Sequence, residues 1–216
     1  MRTVHQLLCL AKSWKNGGFC IAGKNNNNQW VRTITANPSN NAIFHHGNAI
    51  QPLDFFQATT IKHAPQGHQT ENYIIDESEI FTVNGHCAAD ELDDYVDTPA
   101  TLWGAGTSSN YGINDKIIIG QRVVNNSLYL IKPDDTVIIQ MQNEYGTDKL
   151  RIRFSYNSDE YLLTTTDMGI QNYFREEDNK LNNGEEKELD GVSYLTISLA
   201  EPLNGSLYKV VAGYFK

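Results

Sequence analysis

The stretch LAKSWKNGGFCIAG, residues 10–23, sets two lysines and a serine ahead of a glycine pair and a short apolar run. Lys12 and Lys15 offer ammonium donors and Ser13 a hydroxyl, while Gly17 and Gly18 permit a tight return and close approach of backbone to a ligand. The chain is expected to leave one strand at Ala11 and to enter the next at Phe19. Further along, WVR places Trp30 and Arg32 two residues apart, so on a strand both side chains project from one face. A guanidinium beside an indole can grip a phosphate while a base stacks on the ring. The spacing G-x-x-x-x-G-K is absent, which excludes a phosphate loop of the Walker type.

Two further polar motifs bear on a site. In QTEN, Gln69, Glu71 and Asn72 precede an apolar strand. They suit hydrogen bonding to base or ribose edges, and they equally suit capping of a turn. In TTTD, Asp167 stands just before a segment that reads as a helix from Gly169. It can cap that helix, or it can orient Lys12 or Lys15 through an ion pair. The histidines (His45 and His46, His63 and His68, His86 beside Cys87) lack the regular short spacings of a zinc site, so no metal is expected.

Three cysteines without a C-x-x-C spacing argue against a disulfide framework and for a reducing cytoplasm. Cys9 and Cys20 lie in apolar runs and are expected to be buried thiols, which removes Cys20 as a nucleophile. No apolar run approaches the roughly 20 residues that span a bilayer. VHQLLCLA reads as a first strand, too short and interrupted for a signal peptide.

Charge is segregated along the chain. Residues 1–53 hold no Asp or Glu but five Lys and Arg, a net of +5, against −9 for all 216 residues. An overall acidic chain is not built to coat a duplex, which needs many phosphate contacts. A local cationic face within the first quarter is compatible with it.

These residues need a scaffold, and the pattern is mostly β. Short runs rich in β-branched and aromatic residues alternate with turn clusters. FCIAG and WVRTIT flank the loop KNNNNQ as a hairpin, because Asn accepts left-handed backbone angles. DFFQATTIK, NYIID and IFTV follow. AADELDDYV, residues 88–96, reads as a short helix before Pro99, and GAGTSSNYG as a Gly- and Ser-rich stretch after it. Strands resume from Lys116, interrupted by a helix over GIQNYFREE and an acidic solvated loop over 176–191. About ten strands in two groups imply two small five-stranded barrels. The expected division is 1–87, a helical and Gly-rich connection over 88–113, and 114–216.

The ordered set LAKSWKNGGFCIAG, WVR, PLD, QTEN, TTTD and SLAEPLNGSLYKVVAG resembles the dual OB-containing domain family of prokaryotes. The resemblance spans nearly the whole chain and implies two OB-like small β-barrels. It also implies nucleic-acid or nucleotide binding within prokaryotic defence systems, and places QTEN among the recurrent polar motifs.

The residues and the resemblance favour a non-catalytic binding module for single-stranded nucleic acid or a nucleotide. Its cationic aromatic groove would use Lys12, Ser13, Lys15, Trp30, Arg32, Gln69, Glu71, Asn72 and Asp167, with no cofactor. Two other readings stay open: an enzyme acting on a nucleotide or nucleic-acid end with Glu71 or Asp167 as general base, and an adaptor for a protein partner in a defence system.

Overall fold

The computed structural model describes residues 2–15, 18–36, 49–104 and 106–216. The fold is mostly β, with 49% strand and 8% helix. It comprises two units: Met1–Tyr95 with Asn125–Ser127, and Val96–Val124 with Leu128–Lys216. No helix among the described residues is long and apolar enough to cross a membrane.

The first unit contains β1 (Thr3–Lys15), β2 (Gly18–Asn25), β3 (Trp30–Ile34), β4 (Asp54–His63), β5 (Asn72–Ile75) and β6 (Thr82–His86). The circuit β1–β2–β3–β5–β4 returns to β1 and closes a five-stranded barrel. Its one parallel step is β3 to β5, with Arg32 opposite Asn72.

Closure depends on β1 serving two neighbours. Its first half pairs with β4, from Thr3↔Thr60 to Leu8↔Phe55, and its second half with β2, from Leu7↔Asn25 to Lys15↔Gly18. A strand shared in this way must bend, and a bulge between Cys9 and Ala11 supplies the bend. Gly23 lies opposite Cys9, where a Cβ would stand 2.1 Å from the Leu8 carbonyl oxygen. Only a residue without a side chain lets the two strands meet there. Leu7, Cys9, Ile21, Val31, Phe56, Ala58 and Ile75 are buried in this unit. Burying each larger apolar side chain contributes about 1.5–3 kcal/mol.

The first hairpin departs from expectation. The β1–β2 ladder continues through Lys12↔Ile21 and Ser13↔Cys20 to Lys15↔Gly18. Lys12, Ser13 and Lys15 therefore belong to a strand and not to a turn after Ala11. Backbone pairing with β2 overrides their polar character. Residues 16 and 17, including the expected Gly17 hinge, lie outside the described residues, as does the Lys15 side chain. The KNNNNQ hairpin forms as expected, with Asn25 Oδ1 accepting from the amides of Asn27 and Gln29 at 3.0 Å each. The helix expected over 88–96 is a 3-10 helix, Ala89–Tyr95, anchored by buried Leu92.

The second unit contains β7 (Lys116–Ile118), β8 (Leu128–Ile131), β9 (Ile138–Glu144), β10 (Thr147–Tyr156), β11 (Asp159–Thr165), α1 (Met168–Tyr173), β12 (Glu186–Glu188), β13 (Tyr194–Leu199) and β14 (Ser206–Phe215). Its path repeats the first. β9–β10–β11 form a meander, β11 steps parallel to β14, and β14 pairs with β13. β13 then pairs with β8, so separate strands, β9 and β8, stand at the two ends of a path that in the first unit begins and ends on β1. Ile139, Ile152, Leu163, Leu195, Ile197 and Val211 form its core, with the rings of Phe154 and Tyr161 stacked at 5.3 Å.

The acidic loop expected over 176–191 holds a 3-10 turn at Glu177–Asn179 and the strand β12, which pairs with β9. Charge ties it down, because Arg153 Nη2 donates to Glu186 Oε1 at 2.6 Å. The helix expected over 169–177 ends at Tyr173, with buried Phe174 as its C-cap.

Candidate functional site

β3 carries Trp30 and Arg32 on one face, as their spacing requires. The ladder through Arg32 runs Ala11–Ala22–Arg32–Asn72 across β1, β2, β3 and β5. Alanine at both positions on one side leaves room for the guanidinium. The Arg32 amide donates to the Glu71 carbonyl at 2.8 Å, and Arg32 Nη2 lies 3.4 Å from Glu71 Oε1. Backbone and side chain thus join WVR to QTEN.

QTEN is set by the tight turn before it. Gln66 and Gln69 exchange backbone hydrogen bonds of 3.1 and 3.0 Å around Gly67, whose φ is +58°. That left-handed backbone suits glycine. Asn72 Nδ2 then donates to Gln69 Oε1 at 3.3 Å. The Thr70 carbonyl lies 2.6 Å from His63 Nε2, and His63 packs against Tyr73 at 4.6 Å between ring centroids.

A short segment from later in the chain covers this cluster. Thr70 Oγ1 donates to the Asn125 carbonyl at 2.8 Å, and Ser127 Oγ donates to Glu71 Oε1. The result is a buried polar network, with Arg32 4% exposed, Glu71 7% and Asn72 1%. A buried ion pair of this kind adds little net stability, but breaking it strands a charge.

Five of the nine residues selected from the sequence come together here: Trp30, Arg32, Gln69, Glu71 and Asn72. Ser13 lies on the same face, two positions beyond Ala11 and opposite Cys20. Cys20 is half-buried, not buried as expected, because that ladder faces outward from the barrel. Lys12 lies one register step from the Arg32 ladder, with Ile21 and Thr33, so it points to the opposite face, the barrel interior. Its ammonium donates to the Ile50 carbonyl at 2.6 Å. Burial lowers its pKa, opposed by the nearby Cys9 and Asp54.

Asp167 belongs to the second unit and is the N-cap of α1, accepting from the Ile170 amide at 2.8 Å. Burial raises its pKa to about 6, opposed by the amides of Ile170 and Gly169. The preceding threonines fasten β11 to β14, with Thr165 Oγ1 donating to the Val211 carbonyl at 3.2 Å. TTTD therefore joins two strands and starts a helix.

Two members of the first-unit cluster escaped the sequence reading. Lys24 lies opposite Trp30 across the hairpin, with Nζ 5.3 Å from the ring centroid and donating to the Tyr95 carbonyl at 2.6 Å. The closing positions of the KNNNNQ loop carried that signal, since a hairpin places its flanking residues opposite one another. Ser127 carried none, lying 56 positions from Glu71 in an unremarkable NNS run.

Among curated proteins none matches this chain. The family model described as "Dual OB-containing domain" matches residues 5–214. On this nearly complete match, the chain belongs to the dual OB-containing domain family.

Proposed function

We propose that the chain is a binding module for single-stranded nucleic acid or a nucleotide, acting through the outer face of β1–β2–β3 in the first unit. One observation carries this reading. WVR and QTEN, about 40 positions apart in sequence, meet as Trp30, Arg32, Gln69, Glu71 and Asn72 on one side of that barrel. An aromatic ring, a guanidinium and a set of amides form the combination that stacks a base and bonds its edges. The half-buried Trp30 offers the stacking surface, and Arg32 is held in place by Glu71. The dual OB architecture supports binding as the general role, a place in prokaryotic defence is what the family resemblance implies, and the three cysteines without a C-x-x-C spacing favour the cytoplasm.

The test is a binding screen of the full chain against labelled single strands, duplexes and mononucleotides, each at two salt concentrations. Single strands or nucleotides are expected to bind reversibly and without turnover, with affinity falling as salt rises. Equal binding of duplex and single strand, or conversion of a nucleotide to product, overturns the reading.

A further inference from the structure

β14 directs Leu207, Lys209 and Val211 to one face, and the two apolar neighbours belong to the core of the second unit. Lys209 is only 1% exposed. Its ammonium stands 5.1 Å from the Tyr161 ring centroid. Among the described residues, its Nζ has no hydrogen-bond acceptor. The first unit also directs a lysine inward, but the Lys12 ammonium donates a hydrogen bond to the Ile50 carbonyl. Buried ammonium groups are ordinarily satisfied in this way, because stripping one of water without a partner is costly.

A Cβ on Gly106 would stand 2.8 Å from Lys209 Nζ, and a Cβ on Gly104 would overlap Arg122 Nη1 at 1.2 Å. Two cationic heads thus lie against glycines two positions apart in the chain. The Lys116 and Asn114 carbonyls border Gly106 without accepting from Nζ. Arg122 is exposed and donates Nη1 to the Trp103 carbonyl at 3.3 Å. Burial, and then the charge of Arg122, lower the Lys209 pKa to about 8, while Asp115 and Asp159 act to raise it. Asp115 is engaged elsewhere: its Oδ1 accepts from the Ser109 amide at 2.7 Å and its Oδ2 from the Ser109 hydroxyl at 2.6 Å.

We propose that Lys209 and Arg122 form an oxyanion site beside Gly104 and Gly106 of the second unit, taking the phosphate of inorganic phosphate or of a nucleotide. A phosphate carries several acceptor oxygens and can bridge an ammonium and a guanidinium, which one water cannot do with comparable charge. Arg122 marks the side open to solvent. The site lies in a different unit from the Trp30 and Arg32 cluster and does not rest on the function proposed for that cluster.

The test is calorimetric titration of the full chain, with phosphorus NMR, at constant ionic strength. The probes are inorganic phosphate, a mononucleotide and its nucleoside. One saturable phosphate per chain is expected. Lys209→Met and Arg122→Gln are each expected to weaken it about tenfold or more. Lys62→Gln, at an exposed position of β4 in the first unit, is expected to leave it unchanged. A mononucleotide that binds where its nucleoside does not, and is lost in both single variants, identifies a nucleotide as the source. The proposal is overturned if the parent shows no saturable phosphate binding, or if either single variant binds phosphate within about twofold of the parent. Should Lys209→Met fail to fold, Arg122→Gln, at an exposed position, decides the matter alone.

Discussion

Ser127 donates its hydroxyl to the carboxylate of Glu71, which also faces the guanidinium of Arg32. All three residues are buried in the first unit, although Ser127 lies far along the chain from the other two. The carboxylate is therefore the centre of the cluster: one oxygen, Oε1, meets both a hydroxyl and a cation.

This arrangement predicts an order of stabilities. Glu71→Ala leaves a buried guanidinium without its counter-charge and is expected to cost about 3–5 kcal/mol. Ser127→Ala removes one hydrogen bond to a charged acceptor, at about 1.5–3 kcal/mol. The double variant Arg32→Met, Glu71→Leu removes both charges and is expected to recover most of the Glu71→Ala loss. Urea denaturation of the four proteins checks the order. A Glu71→Ala protein as stable as the parent would show that Arg32 does not depend on Glu71 for its counter-charge.

How much of this was legible in the sequence depended on distance along the chain. Trp30 and Arg32 were readable because strand alternation alone puts i and i+2 on one face. The β-rich pattern and the two groups of strands were readable for the same reason. Lys12 was misplaced because it was read as a turn residue. One bulged position in β1 and the continuing ladder to Lys15 decide which face it occupies. Lys209 shows the opposite failure. It sits in the apolar alternation of SLYKVVAG, and nothing local marks it as an inward lysine. The pairing of Ser127 with Glu71 is purely tertiary, so no local rule reaches it.

Asp167 predicts a pH dependence. Its folded pKa of about 6 lies above the ordinary carboxyl value of 3.8, so the native state binds its proton more tightly than the unfolded chain does. The resulting stabilisation is complete below about pH 4 and is lost as pH rises through about 6, with a total of about 3 kcal/mol at most. Asp167→Asn keeps an oxygen to cap α1 and carries no charge. It is expected to flatten the profile between pH 4 and 6 and to be the more stable protein at pH 7. Thermal melts across that range decide it, and a variant with an unchanged pH profile excludes Asp167 as the titrating group.

Trp30 and Arg32 predict different losses in binding. Trp30 acts through stacking, so Trp30→Ala is expected to weaken a single strand by about 1–3 kcal/mol per stacked base and to leave the salt slope unchanged. Arg32 acts through charge, so the Arg32→Met, Glu71→Leu protein is expected to lower that slope by about one if the guanidinium meets a phosphate. Stability can imitate both effects. The Trp30 ring also carries Lys24, whose Nζ is held between the indole and the Tyr95 carbonyl, so removing the ring loosens a buried cation. Each binding curve is therefore read beside a thermal melt of the same preparation. If Trp30→Ala melts far below the parent, the ring is a structural support for Lys24 and the stacking role is withdrawn. If Trp30→Ala and the double variant melt and bind as the parent does, the outer face of β1–β2–β3 is not where nucleic acid or nucleotide binds. A fall in affinity without a change in slope for Trp30→Ala, together with a lower slope for the double variant, assigns stacking to the indole and phosphate contact to the guanidinium.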